Sequence, residues 1–244
     1  MLPTHATPRR RGSSLLPTYL RRLIKPKQMD FEYTFWLMLQ LCVSPKTVYR
    51  HTSYHKQTKH QWARDDPAFV IVCCVLVACA ATAYCIAFSS SLSHTLSSVA
   101  SAVAVDFLLI GAVICTVGWF VSNRFLKKSS QHVNTSEQHV EWMYAFDVHC
   151  NSYFPLFILL YVLQFLFAPV LLHRNLLSTI LSITLYTVAL SYYHYLNFLG
   201  YSALPFLDRT EVFLWPIGGI VMTAVFAVLT TFNPARFTLS FYFV

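Results

Sequence analysis

Five long apolar runs separated by short polar breaks dominate the chain, at 68–88, 99–121, 153–172, 176–199 and 212–232. A helix rises about 1.5 Å per residue, so about 20 apolar residues cross a hydrocarbon core. Each run reaches that length, and only Asp106, His194 and a few amides interrupt them. The pattern predicts an all-α, polytopic membrane protein with five transmembrane helices. Composition agrees: 56% of residues are hydrophobic and 11% charged, where charge in a soluble domain is roughly 25%.

Ahead of the first run lies a different kind of sequence. Residues 1–18, with Pro3, Pro8, Gly12 and Pro17, read as a disordered tail. Residues 19–67 form a basic head. Within it an aromatic run (Phe31, Tyr33, Phe35, Trp36, then Leu37, Met38, Leu39 and Leu41) follows Asp30 and stops before Ser44-Pro45. It is too short to span and suits a helix lying in the membrane interface, where Trp and Tyr are at home. Ser44-Pro45 reads as a helix N-cap followed by Pro at the first helical position. Asp66-Pro67 repeats the device before the first span. The head is expected to be a membrane-apposed set of short helices, and residues 233–244 a short tail.

Charge sets the orientation. The head holds 12 of the 18 Lys and Arg residues. The break after the second run adds Arg124, Lys127 and Lys128, and the break after the fourth adds Arg209. The alternate breaks hold none, Arg174 and Arg236. By the bias of cations toward the cytosol, counted near the span ends, the N-terminus is cytosolic and the C-terminus lies on the opposite face. No apolar core of a cleavable signal peptide is visible near the N-terminus. The seven cysteines are odd in number, form no C-x-x-C pair and sit in spans or cytosolic segments. Neither a disulfide frame nor a zinc site follows, and no cofactor is expected. The basic head fits contact with membrane lipids, each cation near an anionic leaflet being worth about 1 kcal/mol. Nucleic acid would use the same charges.

The polar residues inside the spans are the candidate intramembrane chemistry. A charge near mid-membrane costs roughly 2.5–3.5 kcal/mol on insertion scales, so Asp106 must be protonated, paired or turned toward other helices. On the same helix Gly111, Cys115 and Gly118 have the small-residue spacing that lets helices approach closely. On the fourth run Thr184, Thr187, Ser191 and His194 recur at three- and four-residue steps and form one polar stripe. Thr184 and Asp106 fall at similar depth, which predicts an Asp106–hydroxyl contact; a lipid or ion pathway is the alternative. In the second cytosolic break His139, Glu141, Asp147 and His149 are metal-type ligands without a known metal spacing. Their alternation equally suits a short amphipathic helix carrying Trp142, Tyr144 and Phe146.

Several blocks are recognisable. Gln28-Met29-Asp30-Phe31-Glu32, Lys56-Gln57-Thr58-Lys59 and Gln61-Trp62-Ala63-Arg64-Asp65-Asp66-Pro67-Ala68-Phe69 resemble the uncoordinated-50 family of Golgi membrane proteins. So do Trp119-Phe120-Val121-Ser122-Asn123, Glu141-Trp142, Tyr144-Ala145-Phe146-Asp147-Val148-His149 and Leu199-Gly200-Tyr201-Ser202-Ala203-Leu204-Pro205-Phe206-Leu207. The resemblance implies a five-span Golgi protein without catalysis. It also implies links to Arf guanine-nucleotide exchange factors and to delivery of receptors, nicotinic acetylcholine receptors among them, to the cell surface. RNA binding at the nuclear membrane is a further property attached to the family. Lys56, Lys59, Trp62, Arg64, Glu141, Asp147 and His149 lie in the matching blocks and become candidate partner contacts. Arg21, Arg22, Leu23 and Lys25 belong to a pattern that Golgi retention machinery reads in cytosolic tails, or to a basic interfacial helix.

No enzyme motif is present: Gly200-Tyr201-Ser202 lacks the second Gly of a nucleophile elbow, and the six glycines form no phosphate-cradling loop. The favoured reading is a non-enzymatic factor of vesicle-mediated protein transport. The runner-up is a small transporter or lipid-handling protein using Asp106 and the Thr184–His194 stripe. RNA binding stands third, since no RNA-binding signature occurs in the head.

Overall fold

The computed structural model describes residues 29–50, 61–128 and 138–243. The expected tail at 1–18, the Golgi-retention pattern (Arg21, Arg22, Leu23, Lys25) and Lys56 and Lys59 lie outside the described residues.

Helix α1 (Phe31–Val43) begins where the Asp30 carboxylate accepts the Tyr33 N–H at 2.9 Å, satisfying one of the amides a helix start leaves unpaired. Its buried residues, Thr34, Leu37, Met38 and Leu41, recur at three- and four-residue steps and face the bundle. Its other side carries Phe35, Leu39 and Val43, all exposed. Residues 45–50 are again helical, though the Ser44 hydroxyl bonds the Thr47 hydroxyl at 2.9 Å rather than a backbone amide.

Among the described residues, five helices are long and apolar enough to cross a membrane. They are α2 (Ala68–Ala87), α3 (Leu92–Phe125), α4 (Trp142–Leu171), α5 (Leu176–Ser202) and the segment Thr210–Leu229, whose last part is α6 (Trp215–Leu229). Short connections reverse the chain each time, so they meet alternately at the end that carries the head and at the far end. The N-cap position of α2 falls on Pro67, one residue after the expected Asp66; the Asp66 carboxylate still caps the first turn, accepting the Ala68 N–H at 3.0 Å, while its other oxygen takes the Asp30 N–H at 2.8 Å. One carboxylate thus ties the start of α1 to the start of α2.

Three boundaries differ from the apolar runs. Helix α3 starts at Leu92, before the run, because Ser91 caps it. Helix α4 starts at Trp142, so the expected amphipathic loop helix is instead the first turns of the third span. Tyr144, Ala145, Asp147, Val148 and His149 are buried there, which leaves no face for solvent. The expected tail is a helix, α7 (Pro234–Phe243).

Helix α7 lies across the far end and stitches it together. Asn233 donates to the Leu171 carbonyl at 2.9 Å, and the Ala235 N–H to the Ser182 hydroxyl at 2.9 Å. Its last turn accepts from Ser98 and Ser90 at 3.1 and 3.0 Å, and Phe243 stacks on Tyr84 at 4.7 Å. Helix α6, by contrast, has no buried residue and packs along α5.

The small-residue face of α3 does what its spacing implies: Gly111, Cys115 and Gly118 are all buried. A methyl at Gly111 would overlap the His149 ring on α4, and one at Gly200 would stand 2.7 Å from both Val148 methyls. Without a Cβ at these two points, α3 and α5 close on α4.

Candidate functional site

Four of the blocks that carry the family resemblance, at 61–69, 119–123, 141–149 and 199–207, are far apart in sequence but meet at the head end. Glu141, just before α4, accepts the Trp62 and Ala63 N–H groups at 3.4 and 3.2 Å, one on each oxygen. Six residues beyond Glu141, Asp147 accepts the Arg64 N–H at 2.6 Å and faces the guanidinium Nε at 3.3 Å. The Arg64 guanidinium also lies 4.4 Å over the Phe69 ring. The segment 61–64 has no helix or strand of its own, and these two carboxylates supply the acceptors its backbone would otherwise lack.

Aromatic packing closes the same knot. Trp62 packs against Tyr144 and Phe206 at ring separations of 6.1 and 6.3 Å, and the Tyr144 hydroxyl donates to the Gly200 carbonyl at 2.7 Å. Asn123 reads the Val140 backbone in both directions, donating to its carbonyl at 3.1 Å and accepting its N–H at 2.9 Å. A short antiparallel bridge joins Lys127 to Leu207. Around it, Lys128 N–H donates to Phe206 at 3.1 Å and Asp208 N–H to Leu126 at 2.8 Å.

Deeper in the bundle stands His149. Its Nε2 lies 3.3 Å from the Phe107 carbonyl and its Nδ1 2.8 Å from the Tyr193 hydroxyl. A carbonyl only accepts, so Nε2 carries the proton and Nδ1 accepts from Tyr193; one neutral tautomer satisfies both contacts. The metal-type array therefore splits three ways, Glu141 to the Trp62 and Ala63 amides, Asp147 to Arg64 and His149 to Tyr193. No group of three such ligands comes together among the described residues.

Several candidates are buried. Trp62, Asp147 and His149 are 8%, 5% and 2% exposed; the first two hold the knot and the third packs deeper in the bundle. The intramembrane stripe also divides. Asp106 accepts from the Tyr242 hydroxyl on α7 at 3.1 Å, not from Thr184, which is exposed. Thr187 bonds its own helix at the Ile183 carbonyl, 2.8 Å away, and lines a crevice against α6. Ser191 is half-buried. Of the four stripe residues His194 alone lines the cavity that contains Asp106. The partner of Asp106 escaped sequence reasoning because Tyr242 belongs to a segment too short and mixed to announce a helix docked in the bundle. Tyr193, next to His194 on α5, was hidden for the same kind of reason: a lone Tyr in an apolar run carries no signal of what it touches.

Comparison with known proteins agrees with the blocks. The UNC-50 family model matches residues 19–243. The chain is 50% identical over 230 residues to "Protein unc-50 homolog" of Dictyostelium discoideum, covering 94% of this chain and 88% of that one. It is 41% identical over 228 residues to "Protein unc-50" of Caenorhabditis elegans, covering 93% and 74%. It is 38% identical over 225 residues to the Homo sapiens homolog, covering 92% and 85%. No solved structure matches it significantly.

Proposed function

The chain belongs to the UNC-50 family, and from that premise we propose that it is a non-enzymatic Golgi trafficking factor whose head end, in the cytosol, docks Arf-activating machinery and supports receptor delivery to the cell surface. The observation that carries the reading is the convergence of four separated blocks, at 61–69, 119–123, 141–149 and 199–207, on one rigid knot. Backbone-directed carboxylates and aromatic anchors hold segments 61–64, 126–128 and 206–208 in one arrangement. Fixed loops on a rigid scaffold suit recognition of a soluble partner.

The contact residues belong to the rim of the knot. Arg50, Arg124, Lys127, Lys128, Asp208 and Arg209 are exposed there, and Arg209 takes a left-handed backbone, φ 53°, at the corner before the fifth span. The far end offers less for recognition, since α7 covers part of it and its turns are short. No arrangement of the described residues adds to the RNA reading.

The test is recovery of the Golgi Arf exchange factor with tagged full-length protein. The triple variant Arg50→Glu, Lys127→Glu, Arg209→Glu reverses exposed charge without touching Trp62, Arg64, Glu141 or Asp147. It should insert normally and lose most of the recovered factor. Recovery equal to wild type would overturn the docking reading.

A further inference from the structure

A cavity of about 540 Å³ lies inside the bundle between α3, α4 and α5, with α7 closing it at the far end. It is of the size that takes a small-molecule ligand. The end beneath α7 gathers Asp106, Tyr153, Tyr161, Gln164, Tyr186 and Tyr242. Leu190, Tyr193, His194, Ile110 and Ile114 continue the wall, the last two 45% and 38% exposed on the outer surface of α3. The cavity is therefore continuous with the lipid-facing side of α3.

Three features point to an occupant at the polar end. The Tyr153 hydroxyl and the Gln164 Oε1 are buried in residues 6% and 3% exposed, and among the described residues neither meets a partner within 3.5 Å, Tyr161 standing near the first and Tyr84 and Tyr186 near the second. A buried polar atom without a partner in an apolar setting is costly, and a ligand that donates to it relieves the cost. The helices also lose regular α geometry here: α3 is π-helical over Ala102–Leu109, which contains Asp106, and α4 over Ile158–Leu163, which contains Tyr161. Such widened turns recur at functional sites. Finally, the lining holds one carboxylate and no Lys or Arg among the described residues, and His149 is spent on Phe107 and Tyr193.

That donor set selects the ligand chemistry. An anionic head would meet Asp106 with no cation to receive it. An ammonium head would meet a carboxylate, several tyrosines and two oxygens without a partner within hydrogen-bond distance, a set that favours a cation in a desolvated site. We propose that the cavity binds an amine-headed membrane amphiphile, its ammonium group at Asp106 and its hydrocarbon leaving past Ile110 and Ile114 into the bilayer. The site stands apart from the head-end knot, so this inference does not rest on the docking reading.

Native mass spectrometry of the purified full-length protein tests it, with sphingosine, an amine-headed amphiphile without phosphate, and lysophosphatidylglycerol offered at equal concentration. Free ethanolamine serves as the competitor without a chain. The amine lipid should be retained and the glycerol lipid should not; ethanolamine at the lipid's concentration should leave the bound lipid in place. Asp106→Asn, which keeps the shape and the Tyr242 contact, should weaken amine-lipid binding by about tenfold or more, as loss of a charge-assisted contact does. Ile114→Trp, at a half-exposed position outside the packed core, should block the chain's exit and reduce binding with Asp106 intact. Equal retention of both lipids, undiminished binding in Asp106→Asn, or displacement by equimolar ethanolamine would each overturn the proposal.

Discussion

Arg64 and Asp147 stand 83 residues apart in sequence, and the arginine meets the carboxylate twice, through its backbone N–H at 2.6 Å and its Nε at 3.3 Å. The two contacts do different work. The backbone bond fixes where the segment before α2 runs, and the side-chain bond neutralises a carboxylate buried near the start of α4.

Breaking this pair from the acidic side leaves an arginine against an apolar wall. Removing one partner of a buried pair costs about 3–5 kcal/mol, and Arg64, with its side chain 21% exposed, belongs at the lower end. Asp147→Ala should lower the melting temperature of the detergent-solubilised protein clearly more than Arg64→Ala. The Asp147 carboxylate also serves a backbone amide, which Arg64→Ala leaves bonded. Equal shifts for the two variants would show that the backbone bond carries little.

Gly111 tests the crossing of α3 and α4. Gly111→Ala places a methyl in the His149 ring, and overpacking of this kind costs about 1–3 kcal/mol. Thermal stability should fall, and the double variant Gly111→Ala, His149→Ala should recover part of the loss relative to the sum of the single changes. Strict additivity would place the two residues out of contact.

Tyr242→Phe removes the hydroxyl that reaches Asp106 while keeping the ring. One intramembrane hydrogen bond is worth about 0.6 kcal/mol, so global stability should hardly change. The readout is instead local: amide exchange across 238–243 should quicken as α7 loses a tie to α3. Unchanged exchange would mean that Ser98, Ser90 and the Tyr84 stack hold the helix by themselves.

Orientation has a direct assay. Asn134-Thr135-Ser136 is a glycosylation acceptor outside the described residues, in the connection between α3 and α4. With the head in the cytosol it stays unmodified, whereas an acceptor introduced in the far-end turn between α2 and α3 should be glycosylated. A glycosidase-sensitive shift that disappears in Asn134→Gln would reverse the assignment.

The number of spans, the presence of α1, the Asp66 cap and the close-packing face at Gly111, Cys115 and Gly118 were all legible in the sequence. Each is a local or periodic property: run length against membrane thickness, a short polar side chain before a helix, small residues repeated on one helical face. Which residues those elements bring together was decided only in three dimensions. Glu141 and Asp147 looked like surface groups in a polar loop, yet their partners are backbone amides in the segment 61–64, and no periodicity links the two stretches. Asp106 was expected to meet Thr184 from depth alone, but depth does not set rotation, and α5 turns Thr184 outward. Tyr242 supplies the contact because α7, a segment of mixed composition, folds back under the bundle. A pairing between distant segments depends on how helices rotate and pack, and a single chain's local pattern carries no record of that choice.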